Sequence, residues 1–339
     1  MTSGSLQIAV IIAAYNAGAT IARAVQSALA AAHVAEVVVV DDASTDDTAA
    51  LAIKASAGDG RLSVLEQTIN QGPSAARNRA IRETSAPLIA ILDADDFFLP
   101  ERFERILAEK DWDLCADNIV FVADPNELED FDLETNGLSQ TSSAVTIDFQ
   151  HFVQGNISRR RMLSDLTEQR RVRGELGFLK PVVRRAFLEE HGLSYDEGCR
   201  LGEDFILYTQ ALGLGARMKV VPSCGYAALV RPNSLSSQHR IEDLAALLKG
   251  SSDMLVTLPL SPSDRISLEA HAASIRRKVY HREVLQVRND DGLVAGIISG
   301  FSKPTALIDI ATERALKPQQ RQSTPRFLMT DQSLTEHIR

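Results

Sequence analysis

The sequence predicts an α/β fold with a mostly parallel central sheet flanked by helices and a helical C-terminal extension. Three observations carry this expectation. Strand-like apolar runs alternate with helix-like segments through the first third of the chain, the order of a sheet built with crossovers. The runs Ile8–Ala14, Val37–Val40 and Leu88–Leu92 are continuous rather than alternating, as expected where helices cover both faces of a strand. Each run then stops at polar residues, Tyr15-Asn16, Asp41-Asp42 and Asp93, and the carboxyl edge of such a sheet is where ligands bind.

The elements follow in order. Thr20 is placed to cap a helix whose Ile21, Val25, Ala28 and Leu29 fall at helical spacing. Thr48–Ala57 suits a helix and Leu62–Glu66 a short strand. Asn70-Gln71-Gly72-Pro73 reads as a loop, with Pro73 in the first turn of a helix that runs on to Glu83. Beyond Trp112 the pattern weakens, and residues 124–146 form an acidic loop or hairpin. Phe187–Gly192 closes a helix, Leu201–Phe205 opens another, and residues 241 to about 310 read as all helical. The predicted organisation is a domain over residues 1–240, with halves 1–110 and 111–240, a helical region 241–320 and a mobile polar tail 321–339.

The 339 residues, 45% hydrophobic and 24% charged, describe an ordinary soluble globular protein. A net charge of −9 argues against broad nucleic-acid binding. Cys115, Cys199 and Cys224 are too scattered for a disulfide framework or a zinc site. No signal peptide and no apolar run of about 18 residues is present, so the expectation is a cytoplasmic protein, open to peripheral contact with the inner face of a membrane. Arg159–Arg161 with Arg170, Arg171 and Arg173 fit a solvated helix face, or a patch for anionic lipid or pyrophosphate.

Three carboxylates, Asp93, Asp95 and Asp96, follow the Leu88–Leu92 run. On an extended chain Asp93 and Asp95 project to the same side. Like charges so close repel, and their pairing suits a hard cation held between them and a bound anion. Acids that turn the chain into the helix after Pro100 fit as well.

Several segments together resemble family 2 glycosyltransferases, inverting enzymes of the GT-A fold. They are Val10–Asn16, Val39–Asp46, Asn70–Asn78, Asp93-Ala94-Asp95-Asp96 and Gly202-Glu203-Asp204, in family order. Arg231–Ser236 is similar to a loop that follows the acceptor region in many members, and the likeness covers roughly residues 6–240. The pieces Gly177–Pro181, Phe187–Leu193 and Gly202–Phe205 are similar to bacterial exopolysaccharide transferases of the succinoglycan glucosyltransferase type. The Gln-x-x-Arg-Trp signature of processive synthases is absent.

The resemblance implies a metal-dependent, inverting transfer of a single hexose, glucose, from a UDP-sugar to a saccharide carried on a lipid pyrophosphate. It implies a nucleotide site at Ala14, Tyr15, Asp42, Arg77, Asp93, Ala94, Asp95 and Arg231, with Asp42 accepting the uracil N–H and Tyr15 packing on the base. A turn through Ser44 also accounts for Asp42, simple packing for Tyr15, and a salt bridge to Asp46 or Asp93 for Arg77. Asp95 would coordinate Mn²⁺ or Mg²⁺, with Asp93 and Asp96 binding ribose or supporting the metal. Asp204 would be the general base and Glu203 would orient the acceptor. Both acids also suit a helix N-terminus. His239 is a weaker candidate near the metal or pyrophosphate. The alternatives are a sugar nucleotidyltransferase, whose glycine-rich basic loop is missing at Tyr15–Gly18, and a nucleotide-sugar-binding scaffold without catalysis.

Overall fold

The computed structural model describes residues 6–129, 131, 143–157, 176–230, 240–315 and 324–329. Strands β1 (Ile8–Ala14), β2 (Val34–Asp41), β3 (Leu62–Glu66) and β4 (Leu88–Ile91) are parallel, in the order β3-β2-β1-β4. Helices α1 (Ile21–Ala30), α2 (Thr48–Ala55) and α3 (Pro73–Arg82) are the crossovers. The continuous apolar runs now have a cause. Ile8, Val10 and Ile12 of β1 pack into one core while Ala9 and Ile11 pack into another on the opposite face. Val37 and Val39 of β2, and Leu88 and Ala90 of β4, divide from their neighbours in the same way. Each fully buried Ile, Leu or Val contributes about 1.5–3 kcal/mol.

Past β4 the sheet becomes mixed. Strand β8 (Val182–Arg184) lies antiparallel between β4 and β6 (Leu114–Val122), and β9 (Met218–Leu229) runs parallel to β6. Strands β5 (Phe97–Phe98) and β7 (Val145–Ile147) pair with β9. The sheet therefore continues without a break across residue 110. Helices α4 (Arg102–Ala108), α5 (Phe149–Gln154), α6 (Arg185–His191) and α7 (Glu203–Gly213) cover it. Four further helices follow, α8 (Ile241–Thr257), α9 (Pro262–Asp291), α10 (Leu293–Phe301) and α11 (Pro304–Ala315), matching the all-helical expectation.

Two local expectations change. Thr20 precedes α1 but makes no side-chain cap; its hydroxyl instead donates to Ala94 O at 2.8 Å and ties α1 to the turn after β4. Part of the tail expected to be mobile is docked: β10 (Arg326–Phe327) pairs antiparallel with β6, and Asn118 donates to Met329 O and accepts from Met329 N, at 2.9 and 3.0 Å. A buried asparagine has both a donor and an acceptor to satisfy, and this backbone satisfies both. Trp112 is fully buried, with the Arg184 guanidinium 4.4 Å from its ring.

Candidate active site

The carboxyl ends of β1, β2 and β4 meet the N-termini of α3 and α7. Asp42, one residue past β2, is buried, and its amide donates to Ala14 O at 2.8 Å. Its carboxylate accepts from Gln71 N and Gly72 N, both at 2.7 Å, and from Gln67 Nε2 at 2.6 Å. A carboxylate has roughly four lone-pair sites, so about one remains. Ser44 bonds to Asp41, not Asp42, so the turn expected of Asp42 belongs to its neighbour. Tyr15 stands 53% exposed at the end of β1. Gly72 adopts φ 90°, a left-handed conformation in which any side chain is strained, and this turns the chain into α3 at Pro73.

Helix α3 presents three buried polar residues. Ser74 Oγ donates to Cys199 O at 2.9 Å, and Asn78 exchanges two hydrogen bonds with the Tyr195 backbone, both at 2.9 Å. Together they seat residues 195–204 beside the parallel half of the sheet. Arg77 lies between them with its guanidinium 5.2 Å from the Tyr195 ring. It donates to Asp93 Oδ1 at 2.8 Å and to Glu203 Oε1 at 2.7 Å, and approaches Asp204 Oδ1 at 3.5 Å. The expected salt bridge to Asp93 is present and extends to both acids of α7.

The turn after β4 sends Asp93 and Asp96 to different partners. Asp96 N donates to Asp93 O at 3.0 Å, closing a turn over residues 93–96. Asp93 points to Arg77 and to Lys180, whose ammonium lies 2.9 Å from Asp93 Oδ2. Asp96 turns the other way, accepting from Tyr226 Oη at 2.8 Å and Leu229 N at 2.9 Å. Asp95 is half-buried at the turn. Among the described residues no three His, Cys, Asp or Glu side chains, Asp93, Asp95 and Asp96 included, form a metal cluster.

The site is a buried array of two cations and three carboxylates: Arg77 and Lys180 with Asp93, Glu203 and Asp204. Burial alone would raise Asp93, but Lys180 and Arg77 beside it hold its carboxyl well below the usual range. Burial disfavours the Lys180 ammonium, yet Asp204 and Asp93 raise it above the ordinary lysine range and keep it charged. Burial raises Glu203 against the opposing pull of Arg77, with the Asp204 charge adding to the rise. Asp96 is pushed well up by burial, and Asp95 and Asp93 reinforce this. Asp204 is in the first turn of α7, after Gly202 at φ 77°.

Sequence reasoning missed Lys180, Tyr195 and Tyr226 as parts of this array. Lys180 sits in the Gly177–Pro181 stretch that drew notice only as a likeness, and the tyrosines carry no local signal. Arg231 and His239 lie outside the described residues, as do the arginines from 159 to 173.

A parallel-sheet edge bearing paired carboxylates and cations is thus joined to a second half of the sheet that brings its own acids. The family model of glycosyl transferase family 2 matches residues 9–164. Succinoglycan biosynthesis protein ExoU of Rhizobium meliloti (strain 1021) is 45% identical over 300 residues, 88% of this chain and 84% of that protein. This chain belongs to the family 2 glycosyltransferases and is an enzyme of that class, which sets aside the nucleotidyltransferase alternative. Its fold is shared with TarS 1-349 of S. aureus in complex with UDP-GlcNAc, at TM-score 0.56 and 18% identity over 90% of this chain and 80% of that one. Mannosyltransferase PcManGT from Pyrobaculum calidifontis, in complex with GDP-Man and Mn²⁺, matches at TM-score 0.54 and 17% identity over 93% of this chain and 77% of that one.

Proposed function

We propose that this glycosyltransferase moves one hexose, glucose, from a UDP-sugar to a lipid-pyrophosphate-linked saccharide in exopolysaccharide synthesis. The observation that carries the reading is the pairing of the donor-edge Asp93 with Asp204 through shared cations, which sets a candidate base against the donor edge. The likeness to ExoU supports the pathway class. Asp204 accepts the proton of the acceptor hydroxyl as its oxygen forms the bond to the sugar C1. The bond from C1 to the diphosphate oxygen breaks in the same displacement, and UDP leaves with that electron pair. Inversion follows from a single in-line step.

Asp95, half-buried at the turn, is the carboxylate that this reading gives to a metal, while Asp93 and Asp96 accept from protein donors. Donor phosphates and water would complete its coordination, a usual Mg²⁺ arrangement. An ion there would neutralise charge developing on the leaving diphosphate. In this reading Tyr15, Asp42, Ala14 and Ala94 meet the uridine, with Arg77 beside it. Calorimetry with UDP and a panel of UDP-sugars, in Mn²⁺ and again in EDTA, tests this. Metal-dependent UDP binding lost in Asp95→Ala is the expected result, and the tightest sugar names the donor. No UDP binding under either condition would overturn the nucleotide site.

Among the described residues no helix is long and apolar enough to cross a membrane. Helix α10 instead supports contact with a lipid surface, because its amphipathy is reversed. Gly296 and Gly300 face inward, with no room for a side chain against Arg288 and Leu307, while Leu293, Val294, Ile297, Ile298 and Phe301 face out, Phe301 at 75% exposure. Apolar faces of this kind bury in the headgroup boundary. Ile298→Asp with Phe301→Asp is expected to cut co-sedimentation with phospholipid vesicles by about tenfold or more, since each lost apolar contact costs roughly 1.5–3 kcal/mol. UDP binding should stay unchanged, and undiminished sedimentation would exclude this face.

A further inference from the structure

The Asp204 carboxylate is held asymmetrically. Its Oδ2 accepts from Lys180 Nζ at 2.7 Å, whereas Oδ1 has two contacts of 3.5 Å, from Arg77 Nη1 and Tyr208 Oη. Hydrogen bonds weaken steeply at that length, so one oxygen is anchored and the other is scarcely engaged. The anchor is itself held from several directions. Besides Asp204, the ammonium touches Asp93 Oδ2 at 2.9 Å. The Lys180 carbonyl accepts from Arg102 Nη2 at 2.6 Å, and Arg102 pairs with Asp117 at 3.1 Å, both side chains 1% exposed. The Arg102 guanidinium lies against the rings of Phe98 and Tyr226, 4.5 and 5.1 Å from their centres. Tyr226 is the residue that holds Asp96. A rigid chain of contacts thus runs from a buried ion pair through Lys180 to the candidate base.

We propose that Lys180 is a positioning residue for transfer: by pinning Asp204 Oδ2 it leaves Oδ1 as the oxygen that takes the acceptor's proton. This rests on the reading of Asp204 as the base. Lys180 touches neither sugar nor acceptor in this role; it acts through Asp204. Its second function is to keep Arg77 and Asp204 apart. With two carboxylates on the ammonium, Asp204 does not need Arg77, and the 3.5 Å gap persists. Without the ammonium, that gap contracts to a charge-assisted bond of about 2.8 Å. Arg77 then occupies Oδ1, and the base is present but blocked. Asp93 keeps its bond to Arg77, so the donor edge changes less than the base.

The experiment compares Lys180→Ala, Lys180→Arg and Asp204→Asn. Turnover is read as UDP release from the UDP-sugar that binds most tightly, with a synthetic pyrophosphoryl-undecanol-linked saccharide as acceptor. Lys180→Ala is expected to lose kcat on the order of a hundredfold, the scale of a 1 Å misplacement of a reacting group. Its Kd for UDP should stay within about threefold by calorimetry, and methylammonium, which fits the vacated space, should restore part of kcat. Unchanged kcat in Lys180→Ala, or a folded Lys180→Ala that methylammonium does not restore, overturns the positioning role. If Lys180→Ala does not fold, Lys180→Arg decides. It keeps the charge but shifts the pinned oxygen, so lowered kcat with little change in acceptor KM is expected and wild-type kcat refutes the role. Asp204→Asn separates the two readings. An inactive Asp204→Asn beside an undiminished Lys180→Ala sinks the positioning role alone, whereas wild-type kcat in Asp204→Asn removes the base and the positioning role with it.

Discussion

Asp204→Asn is expected to lower transfer by about a hundred- to ten-thousand-fold, the usual worth of a positioned general base, while UDP binding survives. The substitution keeps the shape of the side chain and one oxygen for Lys180, but removes the charge that accepts a proton. It should not unfold the protein. The buried array holds two cations and three carboxylates, so removing one negative charge brings it to balance. Single-turnover assays beside a thermal melt check both halves. Lost turnover with a retained melt supports the base, and retained turnover sends the search to Glu203. Glu203 is the other acid on α7, with burial already lifting it toward a proton-holding form.

Arg77→Met is expected to give a large loss of stability. The Arg77 side chain is 5% exposed and reaches Asp93, Glu203 and Asp204 at once. Removing one partner of a buried charge cluster costs about 3–5 kcal/mol, because the carboxylates stay buried with only Lys180 to meet them. Arg77→Lys should recover part of this, since one ammonium cannot span three carboxylates as a planar guanidinium does. Urea unfolding at neutral pH reads the difference. The pH dependence has a defined sign. Asp93 is depressed in the folded protein, so its stabilisation is present above the ordinary carboxylate range and lost as pH falls through the depressed value. Without Arg77 the depression weakens, and that loss moves up into milder acid. An Arg77→Met protein as stable as wild type would show that the array is not held by this residue.

Much of the parallel half of the sheet was legible because its signals are local. β1 begins and ends where its apolar run places it, since a strand buried on both faces needs continuous Val, Ile and Leu, β3 spans the short strand expected over Leu62–Glu66, and α3 starts at Pro73 after Gly72. The acids at the strand ends, and Arg77 one turn into α3, were readable for the same reason. Past Leu92 the chain closes a turn at Asp93–Asp96, so the strand periodicity ends there. Thr20 had a capping residue's chemistry, but its hydroxyl donates to Ala94 O and caps no helix amide.

The sequence by itself determined the fold class, the enzyme family and the identity of the acids along the sheet edge. What only the tertiary structure decided is which charges meet. Lys180 comes to Asp93 because β8 is inserted antiparallel beside β4, and Tyr226 comes to Asp96 because β5 pairs with β9. The C-terminal strand docks on β6 because Asn118, buried there, requires backbone partners that only a distant segment supplies. Local periodicity records which face of an element is buried. It carries no record of which distant element will do the burying, and the pairing of charges in a low-dielectric interior depends on that alone.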